Sequence, residues 1–241
     1  MKNYKPIYIM SSTLIIVAVI LGIYFKSALQ EVDSIKVTGS AKRDFVSDII
    51  VWESTFSTKN MFLKDAYKKL DEDRKLISNY LKKNKISLDD VIFSSISIKK
   101  KFDYKWDSDG IKYEEFSGYL LKQNLKIEST EVSKIEDLSR DITTLIDSGV
   151  EIQSGVPYYF YSRLSDLKID MIAEATKDAD IRAQKIADNA STKLGKLING
   201  QMGVFQIVAK NSTEKYSWGG THNKTSKYKT ATVTMRLNYE L

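Results

Sequence analysis

The chain has no cysteine, one histidine, two prolines and eleven glycines in 241 residues. Without cysteine there are no disulfides, no thiolate zinc sites, no thiol nucleophile and no acceptor for a lipoprotein anchor. A lone histidine, His222 in "WGGTHNK", leaves metal binding or a serine–histidine pair dependent on one loop residue, whose neighbours Thr221 and Asn223 are not carboxylates. No G-x-S-x-G elbow is present. The stretch "SWGGTHNK" lacks both the lysine–hydroxyl ending and the strand-to-helix setting of a phosphate loop. Acid pairs occur as "DED" (71–73) and "DD" (89–90). The first lies among lysines at helical spacing and predicts surface ion pairs; the second suits a loop before a strand. These absences predict no catalytic, cofactor or metal site.

Acid is also missing from residues 1–30, which hold Lys2, Lys5 and Lys26. The overall net charge of +6 therefore owes half its excess to this segment, and the remaining charges alternate in sign without a basic block. That pattern argues against nucleic acid as a partner. At 42% hydrophobic and 28% charged the chain has a folding composition, long enough for one large domain or two small ones.

Ile7–Phe25 is a run without a charge. At about 1.5 Å per residue it approaches the thickness of a bilayer's hydrocarbon layer. A cleaved signal peptide has a shorter apolar region and a small-x-small site, to which "KSALQ" is a poor match; a buried core helix is a third reading. Tyr8, Tyr24 and Phe25 sit at the ends of the run as interfacial aromatics do. The preferred expectation is an uncleaved anchor. Lys2 and Lys5 before it, with Glu31 and Asp33 after it, place the N-terminus in the cytoplasm and the rest outside. Residues 1–30 are then stub and anchor, and 31–241 an extracytoplasmic domain with a possible division near 130.

Periodicity in the exported part predicts two strands in 34–59, with Gly39 at the turn between them and both faces of the second partly apolar. A helix follows over 60–84 with Asn60 as N-cap, then strands over 91–106 and 113–129, with "WDSDG" as a turn and Gly118 at a bend. A second series has a helix over 131–149 ended by Gly149, a strand over 150–162 interrupted at Pro157, and a long helix over 164–194. Strands over 203–210 and 229–241 close the chain. The expected class is α+β: antiparallel sheets with packed helices, ββαββ then αβαββ, after one transmembrane helix.

In the long helix, Ala175, Ala179, Ala183 and Ala187 fall on one stripe with Ile172, Ile186, Ala190 and Leu197, which predicts close packing on a sheet rather than a ligand groove. Ile181 is apolar on the polar side and is a candidate partner contact. The loop 211–228 carries Tyr216, Trp218 and Tyr228 among Gly, Ser, Thr and Asn, a mixture suited to recognition. The stretch 102–116, with Trp106, has the same character. If the two tips share one end of the fold they make a single aromatic edge.

Three stretches together resemble the SIMPL-domain family: "IKVTGSAKRD", "GYLLKQNLKIES", and "IEDLSRDITTLIDSGVEIQSGVPYYF" leading to "AEATKDADIRAQKIADNASTKLGKL". The resemblance covers about residues 33–241. It departs at "GSAKRD", where the family often has a second glycine, so the first turn is expected to differ. The resemblance implies an exported bacterial protein of the periplasm or surface, self-association in some members and a link to oxidative-stress resistance in one branch. It brings no catalytic residue set. A membrane-anchored, self-associating envelope scaffold is thus the leading expectation, with an envelope protein as a further partner. A monomeric binding module is the alternative.

Overall fold

The computed structural model describes residues 5–28 and 33–241, and within the first of these stretches the side chains of Met10 and residues 13–23. The stub at residues 1–4 and the junction at 29–32 lie outside the described residues. The first helix, α1, is Lys5–Ala28, and from Leu14 to Ile23 its large apolar side chains are exposed. Among the described residues, no helix is long and apolar enough to cross a membrane. The apolar run Ile7–Phe25 reaches beyond those side chains at both ends.

The remainder is α+β. Its elements are β1 (Ser34–Val46), β2 (Ile49–Asn60), α2 (Leu63–Lys83), β3 (Val91–Phe93), β4 (Ser97–Trp106) and β5 (Lys112–Ser129). They continue with α3 (Val132–Asp141), β6 (Glu151–Ser154), β7 (Tyr158–Phe160), α4 (Leu164–Asn189), β8 (Leu197–Met202), β9 (Gln206–Ala209), β10 (Thr221–His222) and β11 (Tyr228–Glu240). Contacts divide the chain into two compact units, neither of them a continuous stretch: Met1–Ser40, Glu174–Gly203 and Thr234–Leu241 form one, Ala41–Ala173 and Val204–Val233 the other.

The larger unit holds a sheet ordered β3-β5-β2-β6, with β4 also on β5 and β7 also on β2. Its spine is β2 against β5, antiparallel from Ile50 opposite Ser129 to Asn60 opposite Tyr119. On β2 the even-numbered side chains Ile50, Trp52, Ser54 and Phe56 are buried while the odd-numbered ones are not, so one face is covered rather than both. Ala66, Leu70, Ile77 and Leu81 of α2, and Val132, Ile135 and Leu138 of α3, belong to the same core. Steps of four, seven and four residues in α2 and of three and three in α3 give each helix one apolar stripe to set against the sheet. Pro157 falls in the break between β6 and β7, both of which pair with β2. Gly118, at φ +117°, lies at the register shift where β5 bulges against β4, and Gly149 is left-handed at the end of the 3-10 turn after α3. Asn60 Oδ1 accepts from the Phe62 N–H at 3.0 Å, so it closes the turn ahead of α2, which starts later than the spacing predicts. In the same unit β9 pairs with β11 antiparallel and takes β10 in parallel, making the second set of strands mixed.

In the smaller unit β11 pairs with β8 from Met235 opposite Met202 onward. Gly39 is not in a turn: it is buried inside β1, where a Cβ would stand 2.2 Å from the Ala175 carbonyl oxygen and 2.3 Å from the Ala179 nitrogen. Its missing side chain lets the strand and α4 touch backbone to backbone. The alanine stripe has the predicted role, with Ala175, Ala179, Ala183 and Ala187 all at 0% exposure. Ile186, Ala190 and Leu197 are exposed and do not belong to it; the last two lie beyond the end of α4 at Asn189, after which the chain enters β8, a strand that "LINGQM" does not advertise. A third departure concerns 71–73. Asp71 makes a surface pair with Lys75 at 2.7 Å, but Asp73 is buried, bonded to Lys69 at 2.6 Å, and burial raises its pKa.

Candidate functional site

The aromatic residues singled out from the sequence are presented to solvent in two places of the larger unit. The first is the arm made by β4 and the start of β5. All ten residues of β4 are exposed, and so are Lys112–Glu115. Asp107 shapes the tip: its Oδ1 accepts from the N–H groups of Asp109 (3.0 Å) and Ile111 (2.8 Å), with Gly110 at φ +77°. Period-two alternation puts Phe102, Tyr104 and Trp106 on one face, opposite Phe116, Glu114 and Lys112. Phe102 meets Phe116 edge-on at 5.8 Å, and Phe116 meets Tyr119 at 5.2 Å. The Lys112 ammonium sits 3.7 Å from the centre of the Tyr104 ring. Hydrogen bonding to Glu114 holds the Tyr104 phenol pKa up. The other face carries a Lys105–Glu115 ion pair. Such stacking stiffens a two-stranded arm that has no core beneath it.

The second place is the loop between β9 and β11. Gln206 clamps it by donating from Nε2 to the Ser217 carbonyl (2.7 Å) and accepting the Ser217 N–H at Oε1 (3.3 Å). Glu214 accepts from the Ala209 N–H and from Asn223 Nδ2. The Gly220 N–H returns to the Ser217 carbonyl at 3.1 Å, closing a turn with Trp218 at its tip, 100% exposed. Tyr216 Oη lies 3.4 Å from Thr232 Oγ1, and Tyr228 is exposed at the start of β11. A fully solvated indole on a clamped turn is a contact group that loses little conformational freedom on binding.

These positions lie on different elements. Trp106 lies on the arm of the β2–β5 sheet, whereas Tyr216, Trp218 and Tyr228 belong to the strands around β9 and β11. Ile181 is on the outer side of α4 in the smaller unit. There, with Ile186, Lys36 and Thr38, it lines a shallow groove of about 480 Å³. Within the stretch 102–116 the sequence reading named only Trp106 individually; Phe102, Tyr104 and Tyr113 are exposed with it, and Ile186, assigned to the alanine stripe, is exposed beside Ile181. The signal for the arm was present: on β4 the aromatics Phe102, Tyr104 and Trp106 recur at period two with charged Asp103 and Lys105 between them.

His222 is on β10 opposite Ile207, where burial and the charges of Lys229, Lys168 and Lys224 push its pKa down. Lys229 is buried, and its Nζ donates to the Tyr159 carbonyl at 2.5 Å. Among the described residues no group of three or more His, Asp or Glu is placed to hold a metal ion.

An α+β chain with exposed aromatics on a two-stranded arm and on a clamped loop defines a class by architecture alone. Within that class, the chain matches the family described as SIMPL, protein of unknown function (DUF541), over residues 35–237. It belongs to the SIMPL family. No curated protein matches it.

Proposed function

We propose that this chain is a membrane-anchored SIMPL-family protein of the cell envelope: a scaffold that self-associates and has no catalysis of its own. Residues 7–25 form the anchor in the inner membrane. The N-terminus is cytoplasmic and residues 31–241 are extracytoplasmic, as the lysines before the run and the acids after it favour. The observation that carries the reading is the arm, ten exposed residues of edge strand bearing ordered aromatics in a unit whose own core is complete without them. Long exposed edges of this kind are templates for pairing with another chain. Light scattering on the full chain in detergent micelles, over a hundredfold concentration range, tests it. A defined multimer is expected, and a monomer at every concentration overturns the scaffold.

A second reading is favoured by Trp218. A monomeric module would present that turn to an envelope protein or polymer, in keeping with the stress resistance that family resemblance suggests. In a chain beginning at residue 33, Trp218→Ala would then abolish retention on cell-envelope fractions and leave the mass unchanged. Under the scaffold reading the same substitution leaves retention intact.

A further inference from the structure

We propose that β4 is a self-pairing edge: two copies of this chain join antiparallel along β4 about a two-fold axis at Tyr104, merging their arms into one four-stranded sheet. The inference deepens the scaffold reading and rests on it.

The free side of β4 is identifiable from one hydrogen bond. The Asp107 N–H donates to the Ile111 carbonyl at 3.0 Å, so Asp107 directs its backbone groups toward β5. Backbone direction alternates along an antiparallel strand, so Lys105 and Asp103 do the same. The N–H and C=O of Phe102, Tyr104 and Trp106 therefore face outward along an edge that, among the described residues, pairs only with β5 on its other side. No proline interrupts β4, and the bulge beside it belongs to β5, where Ser117 is the extra residue. Lysines usually protect such an edge. Here they are spaced so that one register cancels them.

Outward-facing residues must meet outward-facing residues, so a two-fold pairing can be centred only on one of the strand's residues, not between two. Centred on Asp103, it sets Asp103 against its own copy and Lys101 against Lys105 of the second copy. Centred on Lys105, it sets Lys105 against itself and Asp103 against Asp107. Centred on Phe102, it gains Lys101 with Asp103 but opposes Lys99 to Lys105. Centred on Tyr104, it opposes Asp103 to Lys105 and Lys101 to Asp107, each twice, with no like-charge pair. The same register brings Phe102 opposite Trp106 twice and Tyr104 opposite itself, and cross-strand aromatic and opposite-charge pairs are the favourable ones. It also repairs a defect. Within the arm Asp103 stands directly opposite Glu115, two acids on one face, and the second copy's Lys105 would lie on the far side of Asp103.

Because the chain has no cysteine, a single introduced one is the only thiol. The full chain in micelles, carrying Tyr104→Cys, is oxidised and its mass read on a non-reducing gel. Paired residues about 5.5 Å apart between Cα atoms are within disulfide reach. Tyr104→Cys is expected to convert most of the chain to a covalent dimer. Phe102→Cys and Trp106→Cys singly should stay monomeric on the gel, since each lies four residues, about 13 Å, out of register with its copy. The double variant Phe102→Cys/Trp106→Cys should cross-link again. All three positions are exposed, and an unchanged circular dichroism spectrum checks the fold of each variant. Overturning results are a Tyr104→Cys chain that remains unlinked, or a Phe102→Cys chain that links as well as Tyr104→Cys. If wild type scatters as a multimer while Tyr104→Cys remains unlinked, the β4 pairing fails and the scaffold stands. If wild type is a monomer throughout, both fail.

Discussion

Lys229 is the residue whose chemistry is most at odds with its place. Its ammonium is buried and bonded to the neutral carbonyl of Tyr159, tying β11 to β7 within the larger unit, and burial lowers its pKa from 10.5 to about 8. Between those values the unfolded chain holds a proton that the folded chain has released, so this group makes stability rise with pH across that window. Below about pH 8 both states are protonated and the cost of burying the charge stands in full. The urea stability of wild type relative to Lys229→Met should therefore rise by about 1 kcal/mol between pH 7 and pH 9. Parallel pH profiles for the two proteins would show that the lysine does not carry its charge into the core. Gly39 makes a steric prediction of the same scale. Gly39→Ala forces a methyl into the Ala175 and Ala179 backbone and should cost about 3 kcal/mol in urea unfolding. Gly219→Ala, with nothing within 4 Å, should change stability by less than about 0.5 kcal/mol.

At the scale of the element, α4 shows one helix with two differently constrained sides. The alanine stripe is close-packed, so Ala183→Leu should destabilise by about 1–3 kcal/mol on thermal or urea unfolding. Ile181 is half exposed, and Ile181→Asp should leave stability within about 0.5 kcal/mol of wild type. A larger loss for Ile181→Asp, together with a change in mass by light scattering, would mark its groove as an interface in its own right. The elements also show what periodicity can and cannot reveal. Helices α2, α3 and α4 were legible because their buried stripes follow a 3.6-residue period against a charged background. Strand β8 was not, since all six of its residues are exposed and its only signature is pairing with β11. Gly39 was misread for a related reason. In sequence a glycine after "VT" looks like a turn, and only the helix lying across β1 shows why a side chain is excluded there.

For the whole molecule, the expectation concerns the first thirty residues. The full chain should remain with membranes after alkaline carbonate extraction, while a chain beginning at residue 33 should be released. Protease added to spheroplasts should digest the extracytoplasmic domain of the full chain. Release of the full chain by carbonate would refute the anchor.

Composition and periodicity by themselves determined the α+β class, the buried alanine stripe and the turn at the arm's tip, because each is set by local spacing or by residues that tolerate one backbone shape; the family was legible as a resemblance of three motifs. Candidate aromatics were equally legible, since large apolar side chains among polar neighbours stand out in any context. What they could not contain was which of those aromatics share a surface. That depends on pairings between residues far apart in the chain, such as Trp52 with Ser154 and Gly155 or β2 with β7, which bring no local signal. Tertiary structure alone left Trp106 on an arm without a core and placed Asp73 and Lys229 inside. It also left one side of β4 open, because a strand's free edge is defined by the neighbours it lacks.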